Sequence, residues 1–101
     1  MLRTPKQRKV ICRDCPVARV ADVVGDTVSL LILRDLLTAP KRFSELESAL
    51  PGVSSRTLTL KLKKLEDDGL VAREEGYAVT SKGRALEDVM DAMRSYGKKY
   101  L

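Results

Sequence analysis

Apolar positions recur at three- and four-residue spacing through most of the chain, and Gly, Pro, Ser, Thr or Asp punctuates the breaks between these stretches. Val17, Val20, Ala21 and Val24 share one side of a first predicted helix, with Pro16 at its opening position and Gly25 at its end. Asp26 or Thr27 can cap the next helix, Val28 to Leu37. Its Leu30, Leu31, Leu33, Leu36 and Leu37 cover so much of its girth that it is the central, most buried helix, and Thr38-Ala39-Pro40 stops it. Ser44 followed three residues later by Glu47 is a capping-box pattern, and Leu46, Ala49 and Leu50 give the short helix it opens one apolar stripe. Pro51-Gly52 then breaks the chain, and Ser54 or Ser55 caps a further helix that ends at Gly69. At about 100° per residue its Leu58, Leu62 and Leu65 fall on one narrow stripe that must face the core.

Beyond Gly69 the periodicity changes. Leu70 to Glu74 reads as a strand, Glu75-Gly76 as a tight turn and Tyr77-Ala78-Val79 as the return strand. A lone two-stranded hairpin is marginal, so this one must lean on the helices. Thr80 or Ser81 caps a final helix whose Leu86, Val89, Met90, Met93, Tyr96 and Tyr100 follow a spacing close to a heptad seam. Such a stripe packs on its own domain or pairs with a second chain. Three helices already fill the core of so small a domain, which favours pairing. The predicted fold is mainly α with a small two-stranded antiparallel β wing: a winged helix-turn-helix with a C-terminal dimerisation helix. Its expected parts are a flexible basic arm over residues 1–11 and a single domain over 12–101. Within that domain the helix-turn-helix covers 43–69, the wing 70–80 and the dimerisation helix 81–99.

Charge sharpens this picture. The net charge is +5, and Arg3, Lys6, Arg8, Lys9 and Arg13 in the acid-free segment 1–13 account for it; the 14 other bases balance the 14 acids. Residues 34–64 nonetheless hold seven bases against three acids, so positive charge collects on the arm and on the helix-turn-helix. The outward side of the helix after Ser54 carries Arg56, Leu60 and Lys63, flanked by Thr59 and Lys64, with no acid before Glu66. Charge pattern alone fits an ordinary solvated face. A preceding short helix and tight turn make it a helix that offers cations to phosphates and hydrogen bonds to base edges. Ser54, Ser55, Arg56, Thr59, Leu60, Lys63 and Lys64, with Arg42 and Arg73 beside them, are the candidate DNA-binding residues.

The chain has no His, the commonest general base and metal ligand, so neither a catalytic residue nor a metal or cofactor site is expected. No run is long enough to span a bilayer, the N-terminus lacks a signal peptide's apolar segment, and no aromatic-bearing basic helix suggests a membrane surface. A cytoplasmic location is expected.

The order of short blocks adds a resemblance. Cys15-Pro16-Val17, Leu30-Leu31-Ile32-Leu33-Arg34-Asp35-Leu36 and Arg42-Phe43-Ser44-Glu45-Leu46 are followed by Leu50-Pro51-Gly52-Val53-Ser54, Leu62-Lys63-Lys64-Leu65-Glu66, Gly69-Leu70-Val71 and Thr80-Ser81-Lys82-Gly83-Arg84-Ala85-Leu86. Over about residues 12–98 the sequence resembles the HxlR-type transcription regulators, relatives of the MarR group. That resemblance implies a homodimer in which the first and last helices pair and two recognition helices enter successive major grooves of double-stranded DNA. Val17, Val20, Leu86, Val89, Met90, Met93 and Tyr96 are the interface candidates. Two features depart from the family. Asp26-Thr27-Val28 stands where an aromatic usually precedes the central helix, and the wing closes almost at once with Glu74 and Glu75 at its tip. Those acids would be repelled by phosphates, so the wing should contribute little binding. Leu60 is a further oddity, suited to a thymine methyl or to a protein contact.

Cys12 and Cys15 form a Cys-x-x-Cys spacing, which alone is half of a zinc site or a dithiol pair. A closed zinc site would need ligands from two chains. Cys15 occupies the position of a redox-sensing cysteine in many members of the resembled family. A thiol near a helix start with Arg13 beside it can react as thiolate, and Asp14 opposes that effect. The alternative is a small buried hydrophobe at a dimer interface. The leading function is therefore a homodimeric, sequence-specific DNA-binding transcription regulator with redox candidates Cys15 and Cys12. The competing reading is a winged-helix protein-interaction module with only weak, non-specific DNA binding. A thiol oxidoreductase is disfavoured because no βαβ pattern surrounds the cysteines.

Overall fold

The computed structural model describes residues 15–101. The arm over residues 1–11 and Cys12 lie outside the described residues. Helix α1 (Pro16–Val24) opens with Cys15 at its N-cap and ends at Gly25, whose N–H donates to the Ala21 carbonyl. Helix α2 (Thr27–Thr38) is capped by Asp26, whose Oδ1 accepts from the Ser29 N–H at 2.9 Å. Its fully buried residues are Ser29, Ile32, Leu33 and Leu36, while Leu30, Leu31 and Leu37 are half-buried on its flanks. The leucine count therefore found the right helix but passed over Ile32, which is fully buried on the flank of the stripe opposite Leu33.

Helix α3 (Phe43–Ala49), with Arg42 at its N-cap, starts two residues earlier than a Ser44 cap would have it. The Glu45 carboxylate reaches back to the Arg42 N–H at 2.8 Å, so the reciprocal half of a capping box is made three residues from Arg42. Glu47, the acid expected in that role, instead accepts from the Ser55 hydroxyl and ties α3 to the next helix. Helix α4 (Ser55–Asp67) is capped by Ser54, whose Oγ accepts from the Thr57 N–H at 3.1 Å. It closes in a Schellman motif. The Leu70 N–H reaches the Leu65 carbonyl at 3.0 Å and the Gly69 N–H the Glu66 carbonyl at 2.9 Å, with Gly69 at φ 77° where a side chain would be strained.

Strands β1 (Val71–Arg73) and β2 (Tyr77–Val79) pair antiparallel with Arg73 opposite Tyr77, leaving a three-residue tip, Glu74 to Gly76. Lys41 adds a third, one-residue rung: its N–H and carbonyl exchange hydrogen bonds of 2.9 and 2.7 Å with the carbonyl and N–H of Tyr77. This bridge pins the wing beside the start of α3. Buried Leu46, Leu50, Leu58, Leu62, Leu65, Leu70, Val71 and Tyr77 join the α2 residues in one core.

The final helix is interrupted. Helix α5 (Ser81–Arg84), capped by Thr80 through a 3.1 Å bond from the Gly83 N–H, gives way at Ala85-Leu86 to α6 (Glu87–Tyr100). Just before the break the helix is closely approached by the wing. A Cβ at Gly83 would lie 2.1 Å from the Leu70 carbonyl oxygen, so the strand entry presses directly on the helix backbone.

Two residues of the expected dimer seam also turn inward. Met90 is buried and Leu86 half-buried, both packed on the protomer's own core. A heptad-like stripe records which positions are apolar, and the first turns of α6 spend theirs on the domain. Val17 and Val20 on α1, and Val89, Met93, Tyr96 and Tyr100 on α6, remain exposed.

Candidate nucleic-acid interface

Helix α4 presents two unlike sides. Leu58, Leu62 and Leu65 are buried to 1% exposure or less, and Arg56, Thr59, Leu60 and Lys63 stand on the exposed side. The turn geometry dictates this arrangement. Ser54 stops the preceding loop, its hydroxyl satisfies the Thr57 amide, and the leucine spacing then rotates every cation outward or sideways.

The structure separates cations that look equivalent in sequence. Lys61 pairs with the Asp26 carboxylate. Burial opposes the ionisation of Asp26, but the Lys61 ammonium and the Ser29 amide more than offset it and hold the carboxyl below its usual value of 3.8. Lys64 Nζ sits 2.7 Å from the Asp68 carboxylate and 3.4 Å from each of the Asp22 and Val23 carbonyls at the end of α1. Lys63 pairs with Asp67 one turn on, at 3.2 Å, with its side chain still 71% exposed. Among the described residues, Arg56 is the one α4 cation without an intramolecular acceptor. Lys82 and Arg84 similarly donate to the Asp68 and Leu37 carbonyls at 2.9 and 3.0 Å. Cations from other elements thus hold the last carbonyls of α1, α2 and α4, a favourable use of positive charge at helix C-termini. Charge counting missed this division because side-chain reach across the fold is not a property of the sequence pattern.

The hydroxyls divide in the same way. Ser54 is occupied by its cap, Ser55 donates to Glu47, and Thr59 donates to the Ser55 carbonyl at 2.8 Å while its outward lone pairs stay available. Arg42 is exposed at the foot of α3. Arg73 leaves β1 with its guanidinium 5.6 Å from the Tyr77 ring centre, a cation–π contact that holds it against the wing. Phe43, Thr59, Arg73, Tyr77 and the acidic tip line an open cleft between α4 and the wing. Glu74 and Glu75 are exposed at that tip, with the Glu74 N–H donating to the Gly76 carbonyl at 2.9 Å.

The thiol of Cys15 is half-buried and free at the N-cap of α1, where Sγ accepts from the Ala18 N–H at 3.4 Å. Among the described residues no cluster of His, Cys, Asp and Glu is suited to a metal ion, and no helix is long and apolar enough to cross a membrane.

Comparison with known proteins agrees with this architecture. The family described as HxlR-like helix-turn-helix matches residues 23–101. An HTH-type transcriptional regulator of Synechocystis sp., sll1512, is 36% identical over 95 residues, covering 86% of this chain and 70% of that protein. The HTH-type regulator YdeP of Bacillus subtilis is 36% identical over 94 residues, covering 85% and 73%. Among solved structures, the redox regulator HypR in its reduced form superposes with a TM-score of 0.79 at 33% identity, covering 82% of this chain and 90% of that one. Quinone-bound YodB of B. subtilis gives 0.78 at 32% identity, covering 85% and 100%. The chain belongs to the HxlR-like helix-turn-helix family and is a winged-helix transcription regulator.

Proposed function

We propose that the protein acts as a homodimer in the cytoplasm, binds double-stranded DNA sequence-specifically through α4, and is modulated through the Cys15 thiol. The observation that carries this reading is the outward side of α4, where the unpaired Arg56 and the exposed Lys63 flank Thr59 and Leu60 opposite a fully buried leucine stripe. In the major groove that side brings a hydroxyl and an apolar tip to the base edges, while Arg56, and Arg42 within the same element pair, meet phosphates.

Dimerisation is supported by apolar side chains that stay exposed among the described residues. Val17 is 79% exposed, Met93 48% and Tyr96 61%. A second copy using the same residues of α1 and α6 would bury them and hold two recognition helices at a fixed spacing. The thiol response is supported by the position of Cys15 at the start of α1, where a helix amide already points at sulfur. HypR and YodB, a redox regulator and a quinone-binding protein, share the fold. Oxidation at Cys15 would alter the start of the helix that carries Val17 and Val20, and with it the spacing of the two recognition helices.

Arg56→Ala and Lys64→Met test the reading together. Arg56→Ala removes one phosphate contact per protomer, which should weaken binding and flatten the slope of log affinity against log salt by about two per dimer. Lys64 is committed to Asp68 and to α1, so Lys64→Met should leave that slope unchanged. Equal slopes for Arg56→Ala and the parent protein would remove Arg56 from the interface. A protein-interaction module is the second reading, favoured by the acidic wing tip, and weak binding without sequence preference that vanishes at moderate salt would select it.

A further inference from the structure

Leu60 stands at the crest of α4. At about 100° per residue it lies roughly 200° around the helix from Leu58, diametrically opposite the stripe of Leu58, Leu62 and Leu65. It is 60% exposed, although a buried leucine would contribute to a small core. Scattered exposed leucines are common on protein surfaces, so exposure alone means little. Position gives it meaning. The residue projecting furthest from the core on a recognition helix is the one inserted deepest in the groove, and its neighbours there are Arg56, Thr59 and Lys63.

A leucine side chain can neither donate nor accept a hydrogen bond. Among the groups that base pairs present in the major groove, the apolar one is the C5 methyl of thymine. A protein partner fits less well. Interfaces have an apolar centre with charge at the rim, whereas here one apolar side chain stands alone among cations and hydroxyls. That surrounding charge suits a polyanion.

We propose that Leu60, flanked by Arg56 and Lys63 at the crest of α4, is the specificity-determining residue that reads a pyrimidine 5-methyl group in each half-site. The inference rests on the DNA-binding reading above and adds its chemistry. Leu60 senses the methyl and is blind to the hydrogen-bonding pattern of the ring that carries it. Thymine and 5-methylcytosine both satisfy it; uracil and unmethylated cytosine do not. Cytosine methylation at that position therefore strengthens binding.

The test compares duplexes that differ by one methyl at fixed base pairing. Starting from the tightest duplex recovered by selection from a random pool, each thymine is replaced in turn by uracil. At the position so identified, cytosine is then compared with 5-methylcytosine. Parent protein and Leu60→Ala are titrated in parallel, and the substitution lies on the surface and should leave the circular dichroism spectrum unchanged. For the parent, one symmetric pair of positions should show a loss of about four-fold per methyl removed, about fifteen-fold for both half-sites, and the same gain should follow from methylating cytosine. Leu60→Ala should bind methylated and unmethylated duplexes alike. Three outcomes overturn the proposal: no uracil duplex is weaker for the parent, the methyl effect persists in Leu60→Ala, or Leu60→Ala binds every duplex as the parent does, which would place Leu60 at a protein contact. Selection that enriches no duplex at all overturns the DNA-binding reading itself, and this inference with it.

Discussion

Replacing Gly83 by alanine adds one methyl group where, of the described glycines, the backbone of a neighbouring element comes nearest. An ideal Cβ there would stand 2.1 Å from the Leu70 carbonyl oxygen, 3.1 Å from the carbonyl carbon and 3.3 Å from Val79 Cβ. Ordinary contact would require the strand entry and α5 to separate by roughly 1 Å or more, against a packed core. That movement would also stretch the 3.0 Å bond from the Thr80 N–H to the same Leu70 oxygen, and the 2.6 Å bond from the Thr80 hydroxyl to the Gly69 carbonyl. Forcing a methyl into a filled site costs about 1–3 kcal/mol. A weakened hydrogen bond adds about 1 kcal/mol, and the better helix propensity of alanine returns up to about 1 kcal/mol. The net expectation is a destabilisation of about 2 kcal/mol, which in a chain of this size lowers Tm by roughly 10 °C. Thermal unfolding at one fixed protein concentration measures it, with the exposed neighbour Ser81→Ala as a control expected to stay within about 0.5 kcal/mol. An unchanged or raised Tm for Gly83→Ala would refute the packing argument.

Other perturbations bear on the remaining links. Met93→Lys places a charge on the exposed α6 stripe and should weaken the dimer at least tenfold; sedimentation showing an intact dimer at low micromolar concentration would count against the pairing of α6. Asp26→Asn keeps a capping side chain but removes the partner of Lys61. Because the folded carboxyl titrates below its usual 3.8, its contribution is present above that pH and is lost as pH falls through the depressed value. The variant should thus be less stable than the parent near neutrality by a few tenths of a kcal/mol, with the gap closing in acid; a constant gap across that range would contradict the ion-pair account. Cys15→Ser should bind DNA as the reduced parent does and lose any change on treatment with a thiol oxidant, read as affinity before and after treatment.

The sequence pattern disclosed the elements and much less of their attachments. Leu58, Leu62 and Leu65 announce the inward face of α4 because one helix's burial is a local, periodic property. Lys61, Lys63 and Lys64 look alike in the same stretch, yet their roles diverge: Lys63 meets only Asp67 one turn on, whereas Lys61 and Lys64 also reach Asp26 and the Asp22 and Val23 carbonyls, which lie far back along the chain. The capping of α3 was displaced for a related reason. Two glutamates stood within reach of its start, and Ser55 from the following helix engaged Glu47 while Glu45 closed back on Arg42. Gly83 carried a visible signal, a helix breaker soon after a cap, but the neighbour that demands it, Leu70, is defined only once the wing folds back. Leu86 and Met90 show the limit of the heptad argument, since an apolar seam does not say whether its partner lies in the same chain.

The most direct measurement is selection of bound duplexes from a random DNA pool by the reduced protein, with the recovered sequences titrated at two salt concentrations. A dimeric reader of DNA should enrich an inverted repeat whose half-sites lie about one helical turn apart, bound with an affinity that falls steeply as salt rises. Recovery of no preferred sequence, with weak binding that vanishes at moderate salt, would contradict that reading and leave a basic surface on a domain built to meet another protein.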